Sequence, residues 1–418
     1  MAPVEPVGPE FFGPFNEDAC NRCGACLEAC PVISLSRKDA RGEIEALLAG
    51  DPSVVLDRCQ SCFACNFHCP NGARPASLVL QRWNEQYRRE GLRARAAFFA
   101  THWPNYPNFR SRVVERMTDE ERALLAKWAR TDPLDGDTLA YPGCNVLATP
   151  TLVQSGLFDG LDFRGRLEYC CGEMAFRSGL FDHLRQVAKR LDKWFHHLAP
   201  RHLLVLCTAC TDVIKNVLPG HGLTYQFESV TSYVDWLWRR IREGEVEVTR
   251  ELGWKVALQD SCHAKMFGDA YLDAPREILR ALGCEVVELP NCRENARCCG
   301  IGAGFSVSSS YHPFKLRAAT AANIDDVKKT GADVLCAYCS GCNQMYHVAR
   351  KLYFKRVPFE TYHLIELVQL GIGETPRRMI GRTAKSMFRS MLRRLPSTWS
   401  RKRFELPPIP EDPDDRAY

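Results

Sequence analysis

The sequence predicts a chain of several α/β units: a small N-terminal lobe, α+β or helical, followed by two copies of one α/β domain. Three observations carry this. Cysteine accounts for 21 of 418 residues, about 5%, and most of these thiols fall at fixed, repeated spacings. Short apolar runs alternate with helical stretches, the pattern of strand–helix units around a largely parallel sheet. The segment beginning at Leu139 is answered, motif for motif, by the segment beginning at Val256, and a long internal repeat indicates two copies of one domain.

Length and composition narrow the class. At roughly 100–200 residues per domain the chain has room for about two to four, and its 45% apolar content can build cores without disulfides. An odd total of 21 cysteines forbids complete internal pairing. The start MAPVEPVGPEFFGPF has neither the basic nor the apolar region of a signal peptide, and no run approaches the ~18 apolar residues of a membrane span. The expectation is a cytoplasmic protein whose thiolates bind metal. Lys+Arg and Asp+Glu number 55 and 50, a net +5, yet Thr375–Phe404 holds ten basic residues and no acidic one, leaving −5 elsewhere. Positive charge confined to one segment is not the broad basic face of a nucleic-acid binder.

Along the chain, residues 1–16 read as a flexible lead-in. Residues 17–77 are cysteine-rich and poor in periodic apolar pattern, so ligands rather than a core should hold them together. Residues 78–135 form a helical connector, interrupted by a turn at Trp103–Pro107, with Thr118 and Glu121 placed for a capping box. The two copies occupy 136–245 and 252–370. Cys144, Cys170–Cys171–Gly172, Cys207 and Phe227 of the first answer to Cys262, Cys298–Cys299–Gly300, Cys336 and Phe359 of the second, at offsets of 118, 128, 129 and 132. Leu203–Leu206 and Val334–Leu335 read as buried strands, and Asp212–Leu218 and Gln344–Leu352 as helices. The cysteines then lie at the carboxyl ends of strands, where open α/β sheets place their sites.

The first constellation is Cys20-x2-Cys23-x2-Cys26-x3-Cys30-Pro31, repeated as Cys59-x2-Cys62-x2-Cys65-x3-Cys69-Pro70. Two-residue spacing lets three thiolates curl around one iron–sulfur cube, and the fourth, before proline, reaches the other cube. One [4Fe–4S] cluster is therefore expected on Cys20, Cys23, Cys26 and Cys69, and a second on Cys59, Cys62, Cys65 and Cys30. Zinc, which takes paired CxxC units, is the weaker alternative against eight cysteines in two intact runs. His68, beside Cys69, reads as a surface histidine.

The second constellation is Cys144-x25-Cys170-Cys171-x35-Cys207-x2-Cys210, repeated as Cys262-x35-Cys298-Cys299-x36-Cys336-x2-Cys339. Five thiolates exceed what one cubane or one zinc needs. Adjacent cysteines on a regular strand face opposite ways, so both reach one site only through a bend, which Gly172 and Gly300 permit. An unusual iron–sulfur site is the stronger reading, with zinc or a buried structural pair as alternatives. Cys284, Cys292 and Cys342 fall outside both patterns and read as small buried apolar residues. Cys342 extends the last motif to CxxCxxC, and substitution for a neighbouring ligand is the disfavoured alternative.

The C…CC-G…CxxC repeat resembles the CCG domain of heterodisulfide reductases and their relatives. Two ferredoxin runs followed by two such domains, over about residues 17–370, resemble the D-type subunit of heterodisulfide reductase in particular. The arrangement is also similar to the iron–sulfur subunits of anaerobic glycerol-3-phosphate dehydrogenase and glycolate oxidase. The resemblance implies an α+β ferredoxin-like or α-helical N-terminal lobe with two [4Fe–4S] cubanes, then two repeated α/β CCG domains. It further implies a noncubane [4Fe–4S] cluster on Cys144, Cys170, Cys171, Cys207 and Cys210, and another on Cys262, Cys298, Cys299, Cys336 and Cys339. Each would cleave a disulfide in two one-electron steps. There are two departures: the first copy has the shorter spacing between Cys144 and its pair, which leaves a helix of that domain in question. The second shows Asp260-Ser261-Cys262-His263 where the family has Asp-Pro-Cys-His. His263 is a candidate proton donor to a leaving thiolate, with a backbone-bonded histidine the competing reading.

Residues 376–404 place Ile380, Ala384, Met387, Met391 and Leu395 at helical spacing opposite arginines and lysines. A basic amphipathic helix suits an anionic membrane surface or a groove on a partner subunit, with a plain packing helix as the alternative; Pro407–Asp415 reads as disordered. The expected function is an oxidoreductase subunit relaying electrons through two cubanes to the CCG sites, where a disulfide or thiol-linked acceptor is reduced. The alternative is a relay between a flavoprotein dehydrogenase, or a bifurcating complex, and quinone or a cytochrome. No dinucleotide fingerprint follows a strand, so a flavoprotein or a membrane cytochrome b or quinone-reactive subunit is expected as partner. The location is cytoplasmic or peripheral on the inner face of the membrane.

Overall fold

The computed structural model describes residues 4–99, 108–353 and 356–410. The turn expected at Trp103–Pro107 and residues 411–415 of the expected disordered tail lie outside them. Among the described residues no helix is long and apolar enough to cross a membrane.

Of the two forms expected for the N-terminal lobe, the helical one is present. Short helices Ala25–Glu28, Val54–Arg58 and Ala64–Phe67 and longer ones Arg37–Ala49 and Pro75–Glu90 follow one another, without a strand among the described residues. Each cysteine run must turn sharply to bring its thiols together, and a strand does not turn. Gly24 and Phe63, each directly after the second cysteine of its run, adopt φ of +74° and +62° and start a helical turn there. The lobe also has a core of its own, since Leu27, Ile33, Ile44, Leu47 and Val55 are buried with Trp83. Ligands are therefore not its sole support. Burial of each such side chain contributes about 1.5–3 kcal/mol.

Ten strands are present among the described residues: β1 (Leu92–Arg93), β2 (Thr138–Tyr141), β3 (Asp162–Phe163), β4 (His202–Val205), β5 (Ser229–Ser232), β6 (Lys255–Gln259), β7 (Glu285–Glu288), β8 (Val334–Ala337), β9 (Glu360–His363) and β10 (Arg403–Phe404). β1 and β10 form a small antiparallel pair. The others form two four-stranded parallel sheets of identical order, β3-β2-β4-β5 and β7-β6-β8-β9. The central strands are buried on both faces, which is why Leu203–Leu206 is a continuous apolar run. Alternation sends Leu203 and Val205 into one core and Leu204 and Leu206 into the other. The sheets differ at one crossover. The second uses the 14-residue helix Gly268–Ala281, whereas the shorter first crossover has the five-residue helix Gly143–Leu147 followed by the 3-10 turns Pro150–Val153 and Gly156–Phe158.

Three expectations about the ends are overturned. The lead-in is fixed from Val4 onward: Val7 N–H donates to Met266 O at 2.9 Å, and Phe11 and Phe12 pack on Phe67, Phe63 and Phe176. Residues 407–410 are ordered, with Ile409 buried and Arg190 Nε donating to Pro410 O at 2.9 Å. The basic segment forms the helix Ile380–Arg393, but Ile380, Ala384 and Met387 are buried and the helix packs against Ser340–Leu352 and Phe109–Val114. Its apolar face is already covered by the chain itself, so the packing-helix reading replaces the membrane one.

Candidate functional site

In the lobe the thiols gather as two crossed groups. Burial pushes Cys26 up to about 12, helped by the neighbouring Cys69, Cys20 and Cys23. Burial likewise raises Cys30, which lies beside Cys62, and Cys59, which lies beside Cys62 and Cys30. Cys65 is raised by burial and then by Cys59, Cys26, Cys62 and Cys30, so it stands where the groups meet. The fourth cysteine of each run thus lies with the other run's first three. Backbone N–H groups point at sulfur: Ser61 to Cys59 at 3.2 Å, Ala73 to Cys69 at 3.3 Å and Ile33 to Cys30 at 3.4 Å. Desolvated thiols that repel one another's ionisation, with amides aimed at sulfur, form a donor set suited to a polynuclear thiolate cluster, whose binding releases their protons. Among the described residues no three His, Cys, Asp or Glu side chains close around a single-ion position; a cluster in which each thiolate binds its own iron does not require that.

The second constellation lies where the carboxyl ends of the two sheets face each other. Cys207 leaves β4 as the N-cap of Thr208–Asp212, and Cys339 leaves β8 as the N-cap of Ser340–Leu352. Their thiols stand 4.0 Å apart. Cys210 and Cys342 follow in the first helical turn. In the first half Cys170 donates to Cys144 at 3.4 Å and Cys171 to Cys210 at 3.3 Å. In the second half Cys298 lies against both Cys262 and Cys299, and Cys342 against both Cys299 and Cys339. The bend expected after each cysteine pair is present, with Gly172 at φ +80° and Gly300 at +116°.

This geometry does not bring Cys336 to the site. Cys336 is inside β8, opposite Tyr362, on the face it shares with Val334. Its thiol neighbour is Cys284, while Cys262, Cys298, Cys299, Cys339 and Cys342 lie in the other core. The strand ends fix the correspondence: Cys207 matches Cys339 and Cys210 matches Cys342, both at an offset of 132. The sulfur read as a spare apolar residue is in the group, and the one read as a ligand is outside it.

Across the interface the halves exchange equivalent contacts, as in an isologous dimer. Thr208 Oγ1 donates to Tyr338 O at 3.4 Å and Ser340 Oγ to Leu206 O at 3.3 Å. Four charged groups converge beside the second cysteine group, and three of them, Arg177, Glu173 and Asp212, were missed by the sequence reading. Arg177, buried, donates to Glu173 at 2.9 Å and to Cys262 Sγ at 3.5 Å. His263 meets Asp212 through Nδ1 at 2.7 Å and Glu173 through Nε2 at 3.4 Å. Against the penalty of burial, Asp212 and Glu173 raise its pKa to about 9, so it carries a proton at neutral pH. Beside the first group, buried Arg110 donates to Asn145 Oδ1 at 2.8 Å, close to Cys144 and Cys170. His68 pairs with Asn295 at 2.9 Å instead of lying free on the surface.

A cavity of about 100 Å³ opens onto Cys262, Cys298, Cys299, Cys339 and Cys342. Its far wall is apolar: Phe99, Phe109, Met174, Met345 and, from the basic helix, Met387 and Met391.

Comparison with known proteins agrees with these two cysteine systems. Residues 14–70 match the family described as 4Fe-4S dicluster domain, and residues 256–346 match the one described as CCG, cysteine-rich domain. The D-type subunit of dihydromethanophenazine:CoB–CoM heterodisulfide reductase from Methanosarcina mazei is 24% identical over 401 residues, covering 85% of this chain and 94% of that protein. The chain is an iron–sulfur protein similar to the D-type subunit of heterodisulfide reductase. The chain is also similar to EtfAB:quinone oxidoreductase of Syntrophomonas wolfei, 25% identical over 69% of this chain but only 48% of that protein. The C-type subunit of anaerobic glycerol-3-phosphate dehydrogenase from Escherichia coli is 25% identical over 44% of this chain and 46% of that protein. The chain therefore spans nearly all of the reductase protein and about half of the other two. These relatives belong to oxidoreductases, and the likeness supports an oxidoreductase-type, electron-transferring role for this iron–sulfur chain alongside redox partner subunits.

Proposed function

We propose that the chain takes electrons from a flavoprotein or a membrane cytochrome b or quinone-reactive subunit and delivers them to a disulfide bound in the cavity beside the second cysteine group. The carrying observation is that five thiols of one group, Cys262, Cys298, Cys299, Cys339 and Cys342, line a single open cavity. In this reading 17–77, 136–245 and 252–370 are the working units. Cys20, Cys23, Cys26 and Cys69 hold one [4Fe–4S] cubane, and Cys30, Cys59, Cys62 and Cys65 the other. Cys144, Cys170, Cys171, Cys207 and Cys210 hold one noncubane [4Fe–4S] cluster, and the five cavity cysteines hold the second. When bound, these groups supply electrons one at a time; cleavage of one S–S bond consumes two electrons and two protons and yields two thiols. His263 holds one such proton next to Cys262, oriented by Asp212 at 2.7 Å. Arg177 supplies positive charge against thiolate at 3.5 Å. The place of action is the cytoplasm or the inner membrane face.

The apolar cavity wall favours a second reading, reduction of a lipophilic quinone by a relay chain. Anaerobic purification with iron and sulfide counts, then EPR of the oxidised protein with and without thiols, separates the two. About sixteen irons, for four clusters of four, and a thiol-dependent paramagnetic signal agree with disulfide reduction. About eight irons and no such signal contradict it. Full iron with a response to quinone and none to thiols selects the relay.

A further inference from the structure

Arg177, at the end of the first half's helix Glu173–Arg177, ties the N-terminal lobe to the second half. The lobe presents Gln60 and Ser61, the two residues between Cys59 and Cys62. Arg177 holds both: its Nη2 donates to Gln60 O at 2.6 Å and its Nε to Ser61 Oγ at 3.1 Å. The same guanidinium donates to Cys262 Sγ at 3.5 Å and stacks on Phe305 at 4.8 Å. Gly302 also closes on Gln60. A Cβ at Gly302 would fall 2.2 Å from Gln60 O, so only glycine lets these backbones meet, and its N–H donates to Cys298 Sγ at 3.2 Å. The Cys59–Cys62 turn therefore sits directly on Cys262 and Cys298. Cys207, in the first group, is reached from the second across the 4.0 Å contact with Cys339.

We infer that Arg177 is a positioning residue that couples the Cys59–Cys62 turn to the second cysteine group, so that electrons from the lobe arrive at the second group and reach the first only from there. This rests on the proposal that both groups hold clusters. One electron leaves the lobe and one arrives at the second group; no bond or proton moves, and the donor upstream is the redox partner subunit of the proposed function. Arg177 contributes through geometry, by fixing the separation with a bidentate fork that lysine lacks, and through charge, by stabilising the reduced form.

The test uses the full chain, iron-loaded under argon, reduced with dithionite and followed by freeze-quench EPR with a redox titration. In Arg177→Gln the lobe signals stay as in wild type, the second group's signal appears about tenfold or more slowly, and its midpoint potential becomes more negative. Arg177→Lys restores the potential but not the rate. Gly302→Ala, whose Cβ would press on both Gln60 O and Arg177 Nη2 and force the turn away, slows the rate by a similar factor and decides the matter if Arg177→Gln fails to hold iron. Wild-type rate and potential in iron-replete Arg177→Gln, or a wild-type rate in Gly302→Ala, overturn the coupling while leaving the proposed function standing. Wild-type protein with lobe signals but none from either cysteine group overturns both.

Discussion

The two halves of the molecule place the same cysteines in the same fold and surround them differently. After Cys144 the first half has Asn145; after Cys262 the second has His263. Two residues beyond Cys210 stands Asp212, and the equivalent residue beyond Cys342 is Gln344. Because the halves pack face to face, each residue meets its opposite number from across the interface. Gln344 donates to Asn145 O, a neutral contact, whereas Asp212 grips His263 in a buried ionic one. The cavity, too, opens onto the second group's thiols. Duplication yields two thiol sites, and these two exchanges leave one beside a buried ionic pair and the other beside a neutral contact.

The largest effect should come from breaking one group at a time. Cys298→Ala should abolish a thiol-dependent EPR signal, while Cys170→Ala should keep it and lose only iron. Loss in both variants would mean that the halves work as one site. Next in size is conversion of the second site to the first. His263→Asn alone leaves Asp212 buried without its cation and should cost about 3–5 kcal/mol of stability in denaturant titration. Adding Asp212→Gln should restore most of that stability, yet disulfide turnover should remain down by about 10²–10⁴ with iron content unchanged. Turnover restored along with stability would reduce the ionic pair to a structural role.

A smaller, pH-dependent effect concerns the first half alone. His221, stacked on Phe181 at 5.8 Å, is lowered to about 4 by burial and then by Arg185. A histidine that binds its proton more weakly folded than unfolded adds stability that is complete above its ordinary pKa and lost as pH falls towards the depressed one. Thermal unfolding should therefore shift to lower temperature between about pH 6.5 and 4, and His221→Gln should flatten that slope. An unchanged slope would place the acid sensitivity elsewhere.

Much of this was legible in the sequence, because thiol spacing is short-range information. The crossed ferredoxin runs and the bends at Gly172 and Gly300 needed only neighbouring residues. The reading faltered where a choice depended on where a strand ends. In Cys336-x2-Cys339-x2-Cys342 two frames fit CxxC, and the end of β8 at Ala337 decides between them. A signal was present: Phe227 and Phe359 are 132 apart, as are Cys207 and Cys339, whereas Cys336 gives 129. The lead-in was misjudged because proline and glycine outweighed Phe11, Phe12 and Phe15, whose rings require burial. The basic helix was misjudged because amphipathicity does not say what covers the apolar face. Arg177 and Asp212 carried no local signal of the site, since Cys262 and His263, which they meet there, are 85 and 51 residues away.

The most direct measurement compares Cys342→Ala with Cys336→Ala, each purified anaerobically, counted for iron and examined by EPR with and without thiols. The account predicts that Cys342→Ala loses the second group's signal and its share of iron while Cys336→Ala keeps both. The reverse outcome would contradict the strand register and the site built on it.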